Sequence, residues 1–170
     1  LSSLETLSVH HNSTLSSLFI PVLSQVAQSM MINDNPMLTT LSFNALTQLG
    51  LANGSLEFYL KNNNSLTSLS MDSLTHLNGD LQISDHAVLE TVSFATLERI
   101  EQNIIFEYNS SLLNITFPVL ADLYGKMDIR YNNILETIDI PLLTSTDGRL
   151  FIEENPLLST LSLSSLDAIG

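Results

Sequence analysis

Residues 112–134 read LLNITFPVLADLYGKMDIRYNNI, and the next 23 residues, 135–157, read LETIDIPLLTSTDGRLFIEENPL. Set one above the other, they agree in kind at Leu112 and Leu135, Ile115 and Ile138, Phe117 and Ile140, Pro118 and Pro141, and Leu120 and Leu143. The agreement continues through Gly125 and Gly148, Met127 and Leu150, Ile129 and Ile152, and Asn132 and Asn155. Self-similarity at a fixed period of this size is the mark of a chain that stacks identical units.

The period extends in both directions. Taking the first Leu of each unit as position zero, the markers are Leu15, Leu38, Leu66, Leu89, Leu112, Leu135 and Leu158. All spacings are 23 except the 28 between Leu38 and Leu66, so a five-residue insertion lies within residues 50–57. Position 8 is Leu in every unit, from Leu23 to Leu166. Apolar pairs at spacing two, such as Leu18 with Ile20 and Phe58 with Leu60, predict two short strands per unit, because alternate strand residues share a face. Spacings of three between the other apolar positions predict turns. The expected fold is all-β, a β-solenoid of Leu-rich repeats with about seven 23-residue turns, residues 1–170 forming one domain. Neither end shows a polar cap, which predicts a piece of a longer array or ends that stack on other copies.

Position 20 is a column of Asn12, Asn35, Asn63, Asn109, Asn132 and Asn155, broken only by His86. Asn tolerates left-handed backbone, and its amide can bond the next coil, so an inward ladder is expected. Gly79, Gly125 and Gly148 share position 13, where a turn is expected.

The unit L-x-x-L-x-F-P-x-L-x-x-I-x-G-x-L-x-I-x-x-N, seen in Leu112–Leu120 and Gly148–Pro156, resembles the repeat of receptor L-domains and of related GPI-anchored fungal cell-wall proteins. BspA-like leucine-rich repeats share the period. The resemblance implies an extracellular or cell-surface, right-handed solenoid and no particular ligand. The chain departs from it in lacking capping cysteines.

Composition narrows the function. Net charge is −13, with 18 acidic and 5 basic residues, which argues against nucleic acid and anionic lipid. With no Cys, disulfides and thiolate metal sites are excluded. No run approaches the roughly 20 apolar residues of a membrane-spanning helix, so no direct membrane insertion is expected. His10, His11, His76 and His86 make no metal constellation by spacing, and no nucleophile elbow or phosphate loop appears. No cofactor is expected. The nearest arrangement to a catalytic one is Glu153 and Glu154 with Asp128.

Binding is the stronger expectation. Position 16, expected to face outward, holds Tyr59, Ile105 and Phe151, and position 19 adds Tyr108 and Tyr131 on successive coils, expected to stack. This strip suits a protein or glycan partner at a cell surface. Glu107, Arg130 and Glu153 read as a ladder of alternating charge. Positions 2 and 4 carry small hydroxyls, among them Thr91, Thr137, Ser70 and Ser93, an array that would suit ice as an alternative ligand. Sequons fall at Asn12, Asn53, Asn63, Asn109 and Asn114; those in the ladder column have a structural reason to be Asn, so Asn53 and Asn114 are the better glycan acceptors. The expected function is a non-catalytic extracellular or cell-surface module for adhesion, recognition or filament structure, with glycan-active enzyme as a remote reading.

Overall fold

The computed structural model describes residues 2–51 and 56–169. They are all-β, with no helix among the described residues, and the strands pair in parallel from coil to coil over about seven turns. Each coil carries three strands, one more than the sequence pattern predicts. The first is three residues long, as in Thr91–Ser93, Asn114–Thr116 and Thr137–Asp139. The second is two residues long, as in Arg99–Ile100 and Asp122–Leu123. The third is longer, as in Gly79–Ser84, Ile104–Glu107 and Met127–Arg130. In Gln25–Asn33 the second and third fuse into one strand, which joins the two columns into a single 13-stranded sheet. Two residues are too few for alternation to register in a sequence, which is why the middle strand was not expected.

The corners between strands are i to i+3 turns. The Leu66 N–H donates to the Asn63 carbonyl (3.1 Å), and the Leu74 N–H to the Met71 carbonyl (3.0 Å). These turns explain the three-residue spacings. The core is the stack of inward columns: Leu38, Leu66, Leu89, Leu112 and Leu135 are all fully buried, as are Leu23, Leu74, Leu97 and Leu120. Burying one such side chain contributes roughly 1.5–3 kcal/mol, and each is covered only by the coils above and below it. Rings fill the wider gaps. Phe94 and Phe117 stack with centroids 5.1 Å apart, and Phe106 meets Phe117 edge-on.

The Asn ladder forms as expected, with one correction. The N–H and Nδ2 of Asn109 both donate to Oδ1 of Asn132 (3.1 and 3.2 Å), and Asn132 repeats the pattern on Asn155 (3.0 and 3.2 Å). Each Nδ2 also reaches a strand carbonyl of the preceding coil, Asn109 on Ile83 (3.0 Å) and Asn132 on Phe106 (3.0 Å). The left-handed residue, however, is the one before each Asn: His11, Asp34, Asn62, Asp85, Tyr108, Tyr131 and Glu154 have φ between 53° and 59°. That backbone turn is what swings the following amide inward.

Gly125 and Gly148 are needed for closeness rather than for turning. A Cβ on Gly125 would lie 2.5 Å from the Gln102 carbonyl carbon, and one on Gly148 would lie 2.6 Å from the Lys126 nitrogen. The insertion falls between Leu51 and Glu57; residues 52–55, including the sequon residue Asn53, lie outside the described residues. Its register consequence is visible: Glu57 pairs with Ser29 in the third-strand column, whereas the first-strand column divides into a two-stranded and a five-stranded sheet.

Candidate binding surfaces

The third-strand face holds the position-16 column in strict register: Met31 beside Tyr59, then Gln82, Ile105, Asp128 and Phe151. Tyr59, Ile105 and Phe151 are half-buried rather than freely exposed. They do not touch as a strip, because Gln82 and Asp128 stand between them. Burial, and then the Glu57 and Asp80 carboxylates, push the Tyr59 phenol above its usual range.

Asp128 departs furthest from the expected outward column. Only 3% of it is exposed. Lys126 Nζ closes over one side at 3.2 Å, and the Arg130 guanidinium covers the other through Nε and Nη2. A buried carboxylate costs several kcal/mol unless paired, and these two cations are its pairing. The charge ladder is corrected accordingly. Arg130 bonds Glu107 (2.6 Å) as expected, but its other arm goes to Asp128 on its own strand and not to Glu153. An Asp128 enclosed by two cations is also a poor member of an acid pair with Glu153 and Glu154.

At the corner that follows, Tyr108 and Tyr131 lie stacked, centroids 4.9 Å apart and planes 6° from parallel. Both have left-handed backbone (φ 56° and 57°), an uncommon state for an aromatic residue. Tyr108 is 52% exposed and Tyr131 38%. With Ser110 and Asn133 they line an open concavity of about 330 Å³. Ser110 and Asn133 occupy one repeat position, two residues after each Tyr. That shared position was the available signal, and hydropathy alone did not pick it out.

The hydroxyl face is in register from Ser68 to Thr160, but it is interrupted. It breaks between Ser42 and Ser68, where the sheet divides. Ser70 and Ser93 both donate to the Asp72 carboxylate (2.6 Å each), an acceptor the sequence pattern did not single out. Those two hydrogen bonds hold the Asp72 carboxyl below its usual range.

Two of the sequon residues are sealed: Asn63 and Asn109 are fully buried, and their amide nitrogens are donating inside the ladder. Asn12 is exposed but spends its amide on Asn35 Oδ1 (2.9 Å). Asn114 lies exposed on the first-strand face. His10 and His11 meet edge-on, His11 faces Asp34, and His76 bonds Thr75. Among the described residues, no group of three or more His, Cys, Asp or Glu could hold a metal ion, and no helix is long and apolar enough to cross a membrane.

No family profile, curated protein or solved structure matches the chain.

Proposed function

We propose that the chain is a non-catalytic recognition module, acting outside the cell or at its surface, that presents the Tyr108–Tyr131 ledge to a glycan. The observation that carries this reading is the ledge itself. Two aromatic rings occupy a backbone state that favours Asn, Asp or Gly, and five other coils fill it with polar residues. Backbone preference cannot account for Tyr there, whereas an exposed flat apolar surface can. Ring faces carry partial negative charge and attract the polarised C–H groups of a sugar. Ser110 and Asn133 supply the few oriented polar groups that such a concavity needs for its hydroxyls.

A stack held by backbone hydrogen bonds on every coil is rigid, so binding orders little of the protein. The leucine-rich-repeat character, the right-handed sense and the kinship to receptor L-domain and fungal cell-wall repeats belong to the same proposal. They rest on the repeat pattern. A surface that is strongly acidic overall sets nucleic acid aside as partner. Ice binding stays the second reading, supported by the in-register hydroxyls of Thr91, Thr137 and Thr160.

The deciding experiment is a titration with soluble oligosaccharides followed through the tyrosine ring protons by NMR. Selective shifts of Tyr108 and Tyr131 support the reading. If no glycan moves these two rings ahead of Tyr59 and Tyr124, the ledge is not a sugar site.

A further inference from the structure

The third-strand face differs electrically from the rest of the molecule. It carries four of the five basic residues, Lys61, Lys126, Arg130 and Arg149, against five carboxylates. The remainder of the chain holds thirteen acids and only Arg99. Two copies therefore repel least through this face.

The charges on this face are also ordered. Two coils to one side of Ile105 lies the row Glu57, Tyr59, Lys61. Two coils to the other side lies the row Arg149, Phe151, Glu153. The second row is the first with its signs exchanged. We propose that this face is the interface of a homodimer in which a second copy packs with reversed coil order, across a two-fold axis running along the strand of Ile105. A rotation of 180° about that axis keeps strand direction and inverts coil order. It sets Glu57 opposite Arg149, Tyr59 opposite Phe151, and Lys61 opposite Glu153, each twice, because the contact is isologous. Ile105 meets its own copy at the centre.

The side chains are available for this. Glu57, Lys61, Arg149 and Glu153 are exposed, and Tyr59, Ile105 and Phe151 are half-buried with their outer surfaces free. Lys61 has one competing contact, an exposed pair with Asp85 at 3.4 Å, worth little in water. Glu107, on the axis itself, is neutralised within its own chain by Arg130 at 2.6 Å, so the two copies of it do not repel as free charges. The other two-fold in the plane of the face, along the solenoid axis, would instead set Glu57 on Lys61 and Arg149 on Glu153, but it also lays Lys126 of one copy on Arg130 of the other. The Glu57→Arg, Arg149→Glu double variant separates the two axes, since it restores attraction only across the first.

Five coils at about 4.8 Å by a strand of about 15 Å make a footprint of about 360 Å² per copy, roughly 700 Å² in all, smaller than a stable specific interface and of the size of a transient one. The dimer is accordingly weak, reversible and sensitive to salt. This inference goes beyond the glycan reading and does not depend on it. Because the axis preserves strand direction, it brings both Tyr108–Tyr131 ledges to one edge of the dimer, where a multivalent ligand can hold both.

The test is sedimentation equilibrium on the 170-residue chain, from about 10 µM to about 1 mM, at low and high salt. Glu57→Arg and Arg149→Glu should each weaken association by roughly tenfold. The double variant carrying both changes should recover most of the loss, since each new Arg then faces a new Glu. Lys61→Glu and Glu153→Lys provide the same cycle on the other rim. A chain that stays monomeric throughout overturns the proposal. So does association that ignores the single changes, or a double variant as weak as the singles.

Discussion

His86 Nδ1 lies 3.1 Å from Oδ1 of Asn109, in the place where every other coil of the ladder presents an asparagine amide. Asn109 spends its own Nδ2 on the Ile83 carbonyl and on Asn132, so its oxygen faces the ring. The proton must therefore sit on Nδ1. The other nitrogen, Nε2, is buried with no hydrogen-bond partner. Imidazole imitates the donor half of the ladder and leaves its acceptor stranded in the core.

Acid should find this site first. Burial pulls the His86 pKa down from 6.5 to about 4, although the Asn109 bond and neighbouring Asp85 act in the opposite direction. The unfolded chain thus binds a proton in the window where the folded chain does not. The stability contributed by neutral His86 is complete above pH 6.5 and is lost as pH falls toward 4, by about 3 kcal/mol. His86→Asn should remove that slope. At pH 7 it should be near neutral, because the restored ladder bond offsets a void costing on the order of 1 kcal/mol. Urea midpoints of both proteins at pH 7 and near pH 4.5 decide it. Equal pH slopes would mean that His86 titrates normally.

The interior of the ladder should matter far more than its end. Asn132→Ala strands the Asn109 N–H and the Phe106 carbonyl in the core and takes one of the two acceptors of the Asn109 amide, which keeps Ile83. Each buried orphan costs about 1–3 kcal/mol, and a shared site makes the sum less than additive, so a loss of about 3–5 kcal/mol is expected. Asn12→Ala, exposed at the first coil, should cost under about 1 kcal/mol. Comparable losses at the two positions would show that the ladder is not a cooperative buried element.

The sequence carried the coil, because a 23-residue period leaves Leu112 and Leu135 no option but the same core column. It also carried the ladder and the Tyr108–Tyr131 stack, both of which follow from residues repeating at one position. It did not carry the exposure of single positions. Asp128 stands in an outward column yet is buried, since its neighbours Lys126 and Arg130 fold back over it, and no periodicity encodes that. The same reason hid Asp72, whose role comes from hydroxyls on two coils. The left-handed site lies one residue before the Asn column because the column is held by its ladder bonds, while the site itself is mixed: Asn62, Asp34 and Asp85 in three coils, Tyr, Glu and His in the other four.

Closeness between coils sets a limit on residue size at Gly125. An added methyl meets the Gln102 carbonyl carbon and oxygen at 2.5 Å and Asn103 Oδ1 at 2.7 Å, and backbone of a hydrogen-bonded coil cannot give way cheaply. Gly125→Ala should destabilise by on the order of 1–3 kcal/mol through this overlap, despite the lower chain entropy of the unfolded Ala form. A denaturant midpoint equal to or above that of the parent would show that the coils separate without cost.

Tyr131 allows function and stability to be told apart. Asn in its place relieves a left-handed aromatic residue, a strain of roughly 1 kcal/mol, but forfeits the stack with Tyr108, worth about 0.5–1.5 kcal/mol. The two nearly cancel, so Tyr131→Asn should leave the melting temperature within a few degrees of the parent. Tyr108→Asn should behave likewise. Sugar binding, by contrast, should fall at least tenfold in either variant, because half of the flat surface is gone. Calorimetric titration beside a thermal melt separates the outcomes. Large loss of stability with each change would mark the pair as a structural clamp between coils, and unchanged affinity would move the ligand elsewhere on the solenoid.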